Sequence, residues 1–142
     1  MQNPIEPELL RVSRRRLGRS LEANKGRWGV FVMDAESPVL RAAWTEVQDS
    51  YQRRVCIEVS DYPNWVALEA AMEQQAPAAD VIELHGLDTW LDARNLSAAN
   101  ISREHFAHSV LVPVLFWLSS PQISSFATRA PDLWSWRAGV FD

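Results

Sequence analysis

The chain has one cysteine, one lysine and only five glycines in 142 residues. A single thiol, Cys56, cannot build a disulfide framework or a cysteine-rich metal site. Lying within the apolar run 55–59, it reads as an inert core thiol, and no metal site and no cofactor are expected. Five scattered glycines cannot form a glycine-rich loop, and the dinucleotide fingerprint Gly-x-Gly-x-x-Gly is absent. No Gly-x-Ser-x-Gly elbow supports a serine hydrolase. No run of about 18 apolar residues is present, so no membrane-spanning helix is expected. Positive charge is also in deficit: the net charge of −4 argues against a nucleic-acid or anionic-membrane partner, since both reward cations. Met1 to Glu8 is polar, carries Pro4 and Pro7, and lacks the basic start and apolar run of a secretory signal. The triplet Asn100-Ile101-Ser102 is therefore read as chance rather than as a glycosylation acceptor, and the expected compartment is the cytoplasm.

What is present is a globular composition, 47% apolar and 23% charged, sized for one domain over residues 1–142. A local grammar recurs: an apolar run, a short polar loop, a proline, then a helical pattern. Residues 28–33, 54–59, 80–85 and 110–118 are rich in β-formers and predict core strands. Ser37 followed by Pro38 predicts a helix start, with Leu40, Ala43, Trp44, Val47 and Tyr51 forming one apolar stripe. Asp61-Tyr62-Pro63 opens a second helix carrying Trp65, Leu68 and Met72, and Ser119-Ser120-Pro121 opens another with Ile123 and Phe126. A helix over residues 8–22 precedes the first strand. Residues 87–99 read as looser chain leading into a helix from about Asn100 to His108. Residues 131–142 form a Trp-rich end, with a fifth strand expected near Val140-Phe141. Strands alternating with helices predict an α/β fold, a single three-layer domain with a mainly parallel sheet of four or five strands and Rossmann-like topology.

In such a sheet, ligands bind beyond the C-terminal ends of the strands. Those ends carry Asp34, Glu36, Asp61, His85, Asp88, Ser119 and Ser120. An acidic rim of this kind could hold a cation or supply a general base. Acids in loops before helices equally cap amides and complement the helix dipole, and that structural reading takes precedence. A phosphate loop would need Gly-x-x-x-x-Gly-Lys-Ser/Thr after the first strand. The chain instead has Asp34-Ala35-Glu36-Ser37-Pro38, with two acids and neither glycine nor lysine. The lysine, Lys25, precedes that strand and belongs at the opposite edge of the sheet.

Other constellations are thin. His105 and His108, beside Glu104, read as a partly exposed helix face. The arginines at 11, 14, 15, 16 and 19 have no aromatic residue among them on which bases could stack. A solvated face or a protein-docking patch is the simpler reading. Of seven tryptophans, Trp134 and Trp136 stand apart in the dense segment 131–141. They fold back on the sheet or form a docking surface, and both readings remain open.

Three stretches carry a family resemblance: Ala99-Asn100-Ile101-Ser102-Arg103-Glu104, Val114 to Leu118, and Ala130-Pro131-Asp132-Leu133-Trp134-Ser135-Trp136-Arg137 through Phe141. They resemble a module of bacterial signalling proteins, often preceding tetratricopeptide repeats, within the circle of signal-transduction ATPases with numerous domains. The module is similar to their nucleotide-binding domain with the phosphate loop lost. The resemblance implies a P-loop-NTPase-like topology with the first strand central, no ATP hydrolysis, and a protein-contact role in signalling or defence. It implies as contact residues Asn100, Arg103, Pro131, Asp132, Trp134, Trp136 and Arg137. The resulting expectation is a non-enzymatic regulatory or recognition module whose partner is a protein or a neighbouring domain. The alternative is a metal-dependent hydrolase, or an NAD- or nucleotide-cleaving enzyme, using Asp34, Glu36, Asp61 and Asp88.

Overall fold

The computed structural model describes residues 5–142; residues 1–4, part of the polar N-terminal stretch, lie outside the described residues. Five strands form one sheet: β1 (Gly29–Asp34), β2 (Arg54–Glu58), β3 (Val81–His85), β4 (Pro113–Leu118) and β5 (Gly139–Phe141). Their order is β2-β3-β4-β1-β5, and every pairing is parallel. The α/β fold is thus as expected, with a sheet that is wholly rather than mainly parallel. β1 is interior, flanked by β4 and β5, but β4 and not β1 holds the middle position.

Eight α-helices cover the sheet among the described residues: α1 (Ile5–Ala23), α2 (Pro38–Val47), α3 (Trp65–Gln75), α4 (Leu87–Trp90), α5 (Ala93–Ile101), α6 (Arg103–Ser109), α7 (Ser120–Arg129) and α8 (Pro131–Ser135). Strand alternation sends Val30, Val32, Ile82, Leu84, Val114, Phe116 and Leu118 into one core with residues of α3 to α8. Phe31, Met33, Val81, Leu115 and Trp117 enter a second core with Leu17 and Leu21 of α1 and Leu40, Trp44 and Val47 of α2. Right-handed crossovers explain this division. The β1-to-β2 connection runs towards one edge of the sheet. All later connections run the other way, which places their helices on the opposite face.

Local chemistry sets the element starts. Ser37 Oγ accepts from the Leu40 amide at 3.1 Å, and Pro38 occupies the first turn of α2. β4 starts at Pro113 rather than at residue 110, because a proline fits only the first position of a buried strand. Val59 leaves β2 for a tight turn over Val59–Asp61, and α3 starts at Trp65 behind an Asn64 cap. Residues 87–99, expected as loose chain, are largely helical. Asp92 caps α5 through the Asn95 amide at 2.9 Å, and Leu91, Leu96 and Ala99 are buried. The helix expected from Asn100 to His108 is interrupted at Ser102, where α5 ends and α6 begins.

The two helices on the second face leave the β2 edge uncovered. Arg54, Cys56 and Glu58 are exposed along it, while Ile57, pointing the other way, is buried. Cys56 is therefore not a core thiol. Its strand is apolar in sequence, but one of its faces meets solvent.

Candidate functional site

β1 and β4 are neighbours whose outgoing helices, α2 and α7, lie on opposite faces. This is the switch point at which open parallel sheets form a ligand crevice. Its walls are residues 34–37 and the pair Ser119-Ser120. The loop uses its own amides. Ala35 N donates to Leu118 O at 2.8 Å, Glu36 N to Asp34 Oδ1 at 2.9 Å, and Ser37 N to Asp34 O at 3.2 Å. The Leu40 amide goes to Ser37 Oγ, and Pro38 has no N–H. Arg41, the cation nearest in sequence, is also engaged: Nε donates to Ala35 O at 3.0 Å, and its guanidinium lies 5.1 Å from the Trp117 ring centre.

The acidic residues do not form one cluster. Glu36 Oε2 accepts from Ser120 Oγ at 3.1 Å, and Asp88 Oδ1 lies 3.4 Å from the Ser119 amide. Glu36 and Asp88 thus share the crevice through adjacent serines, and Asp34 is turned onto its own loop. Asp61 follows β2, three strand spacings or roughly 14 Å from β1. Lys25 is at the other end of the strands, where it lines a cavity of about 490 Å³ with Glu22, Tyr51, Arg53 and Asp80. There the Arg53 guanidinium donates to Asp80 at 2.8 Å and, by that hydrogen bond first, holds the Asp80 carboxyl below its ordinary range.

The residues that carry the family resemblance meet one another. Asn100 Oδ1 accepts from the amides of Asp132 and Leu133, both at 2.9 Å, and its Nδ2 donates to Asp132 Oδ2 at 3.1 Å. This is a cap supplied from another helix: Pro131 begins α8, and Ala130 at the cap position has no side-chain acceptor. Arg103 Nη1 donates to Asn100 O at 2.8 Å and stands 3.8 Å from Asp132 Oδ2. Trp134 is half-buried, its ring 5.6 Å from Phe126, with the Arg137 guanidinium 4.3 Å above it. Trp136 remains 41% exposed, edge-on to Trp28 at 6.3 Å and 5.5 Å from the Arg103 guanidinium. The two tryptophans differ in burial. Trp134 packs at the rim of the core, and Trp136 lies at the surface.

Two buried glutamates were not singled out from the sequence. Glu69 on α3 accepts from Trp65 Nε1 at 3.0 Å and Ser102 Oγ at 2.8 Å, and lies 3.1 Å from His105 Nδ1. Glu83, on β3, accepts at Oε1 from Trp44 Nε1 at 2.8 Å and Trp117 Nε1 at 3.3 Å. Its Oε2 accepts from Cys56 Sγ at 3.3 Å, and His85 Nε2 lies 3.5 Å from Oε1. Burial alone would raise the Glu83 carboxyl, but the hydrogen bonds from His85, Cys56 and Trp117 and the nearby His85 hold it below its ordinary value. Burial, followed by the Glu83 contact, pushes the Cys56 thiol up to about 11. The available signal was an acid at an inward position of a strand otherwise apolar, within reach of tryptophans that need acceptors.

Neither a family model nor a curated protein matches the sequence. Among solved structures the chain is similar to a crystal structure of the DnaC helicase loader, at 12% identity over 99% of this chain and 92% of that one, with a TM-score of 0.46. A likeness at that distance carries no argument about residues or activity.

Proposed function

We propose that this domain is a non-enzymatic recognition or regulatory module built on a degenerate nucleotide-binding framework, acting on a protein partner or a neighbouring domain in signalling or defence. The observation that carries this reading is the state of the loop after β1. A phosphate at a helix N-terminus needs free amides and a favourable field. Here the amides of Ala35, Glu36, Ser37 and Leu40 are donated within the chain, and Asp34 and Glu36 add negative charge where phosphate would sit. The surface offered to a partner is the exposed Trp136 with Arg103 beside it and Arg137 over the neighbouring Trp134, a combination favoured at interface centres.

The test is thermal unfolding of the purified chain across concentrations of ATP, ADP, GTP and NAD with magnesium, with product formation followed in parallel. The expected result is no concentration-dependent rise in the midpoint and no product. A ligand at a hundred times its Kd would stabilise the fold by about 2.7 kcal/mol. A saturable rise of that order would overturn the reading and move catalysis to Glu36 and Asp88 in the crevice.

A further inference from the structure

Cys56 and Glu83 are register partners on the adjacent parallel strands β2 and β3, and His85 stands two residues beyond Glu83. Strand alternation therefore puts all three side chains on one face. α1 and α2 do not cover that corner. Cys56 is exposed, the His85 side chain is 40% exposed, and Glu83 is buried beneath them. A thiol sulfur, an imidazole nitrogen and a carboxylate oxygen lie within 4.8 Å of one another.

We propose that Cys56, Glu83 and His85 bind one zinc-class divalent cation, with the fourth coordination position open to solvent.

The donors lie within a small side-chain adjustment of the spacing such an ion needs. Tetrahedral zinc, with bonds of about 2.3 Å to sulfur and about 2.0 Å to nitrogen and oxygen, separates its ligands by about 3.3–3.6 Å. Cys56 Sγ lies 3.3 Å from Glu83 Oε2 and His85 Nε2 lies 3.5 Å from Oε1, so sulfur and nitrogen flank the two oxygens of one carboxylate, and one donor from each residue lies within 4.8 Å of the others; the partly exposed His85 ring must turn to bring all three onto one ion. The donor set selects the metal class. Thiolate and imidazole favour zinc and its transition-metal neighbours, whereas magnesium and calcium demand mostly oxygen. The carboxylate is also oriented from behind: the indoles of Trp44 and Trp117 hold Oε1 and leave Oε2 directed at the sulfur. Outer partners of this kind fix a ligand's geometry.

Binding breaks the Cys56 S–H bond and forms a sulfur–metal bond. The proton passes to solvent, and nothing is oxidised or reduced. The resulting thiolate and the Glu83 carboxylate offset the dipositive charge. The site lies on the face opposite α3 to α8 and does not depend on the proposed recognition function.

The test is a zinc titration of the full chain against a competing chromophoric chelator, with proton release followed in weak buffer at pH 7. One ion per chain and one proton per ion are expected. Cys56→Ser and His85→Ala should each weaken binding by at least the ~10–100-fold seen on losing a mere outer partner. Both side chains reach the surface, so both variants should still fold; Cys56→Ser should keep the metal-free thermal midpoint, and His85→Ala should lower it modestly through the lost contact with Glu83. His105→Ala, at the other histidine–carboxylate pair, should bind as the parent does. Cobalt in place of zinc should give a thiolate-to-metal charge-transfer band that Cys56→Ser lacks. Equal zinc affinity in the parent, Cys56→Ser and His85→Ala would overturn the proposal, as would a parent chain that binds cobalt without the thiolate band.

Discussion

At the scale of single residues, much of the polar chemistry is satisfied within the chain. Asn100 and Asp132, which stand in the sequence motif, tie α5 to the start of α8 through their hydrogen bonds, and Arg103 of α6 donates to Asn100 O. Replacing Asn100 with alanine leaves the Asp132 and Leu133 amides without their acceptor, and should cost about 0.5–2 kcal/mol, the usual range for a lost helix cap. Urea unfolding would show this as a lower midpoint at unchanged m-value. Glu83 is satisfied in the same way, but in the core. Two tryptophans there are read from sequence as packing residues, but their N–H groups require an acceptor, and a buried carboxylate supplies it. Nothing in the one-dimensional pattern pairs Trp44 with Glu83.

At the scale of elements, local signals worked where caps and prolines are local. Ser37-Pro38 and Ser119-Ser120-Pro121 mark α2 and α7 to within a residue. They failed over residues 87–99, where Gly86 just before the segment and Asp88 and Asp92 within it resemble loop chemistry although the segment folds into α4 and most of α5. Gly86 makes that turn at φ +79°, and a Cβ there would meet the Glu58 carboxylate. Gly86→Ala should destabilise by more than about 1 kcal/mol, because a non-glycine residue is strained at positive φ. Gly18 is the contrasting case, within α1 and with open space around it. Gly18→Ala should stabilise by roughly 0.5–1 kcal/mol, since it removes backbone freedom from the unfolded chain. Thermal midpoints moving in opposite directions for the two variants are the expected readout.

At the scale of the whole molecule, one sheet separates two cores, and strands β1, β3 and β4 contribute residues to both. Loss of either helical layer exposes a face of the same strands, so the two cores should not melt separately. Unfolding followed by tryptophan fluorescence and by far-ultraviolet circular dichroism should give one coincident transition. Two separated transitions would mean that the α1–α2 layer is an independent unit. The sheet order also decides the fate of the acidic rim. Asp34 closes β1, and Glu36, Asp61 and Asp88 follow strands, but β3 and β4 stand between β2 and β1, so Asp61 lies far from the crevice that Glu36 and Asp88 share.

The sequence by itself determined most of the elements, their alternation and hence the parallel sheet, and the absence of glycine and lysine from the loop after β1. These are local properties: periodicity, capping and the presence of particular residues within a few positions. Tertiary structure alone decided the strand order, the exposure of Cys56, the meeting of Cys56, Glu83 and His85, and the tie between Asn100 and α8. Each depends on which strands become neighbours and how far a helix extends over them. Those relations are set by the handedness of the crossovers and by packing between segments distant in the chain.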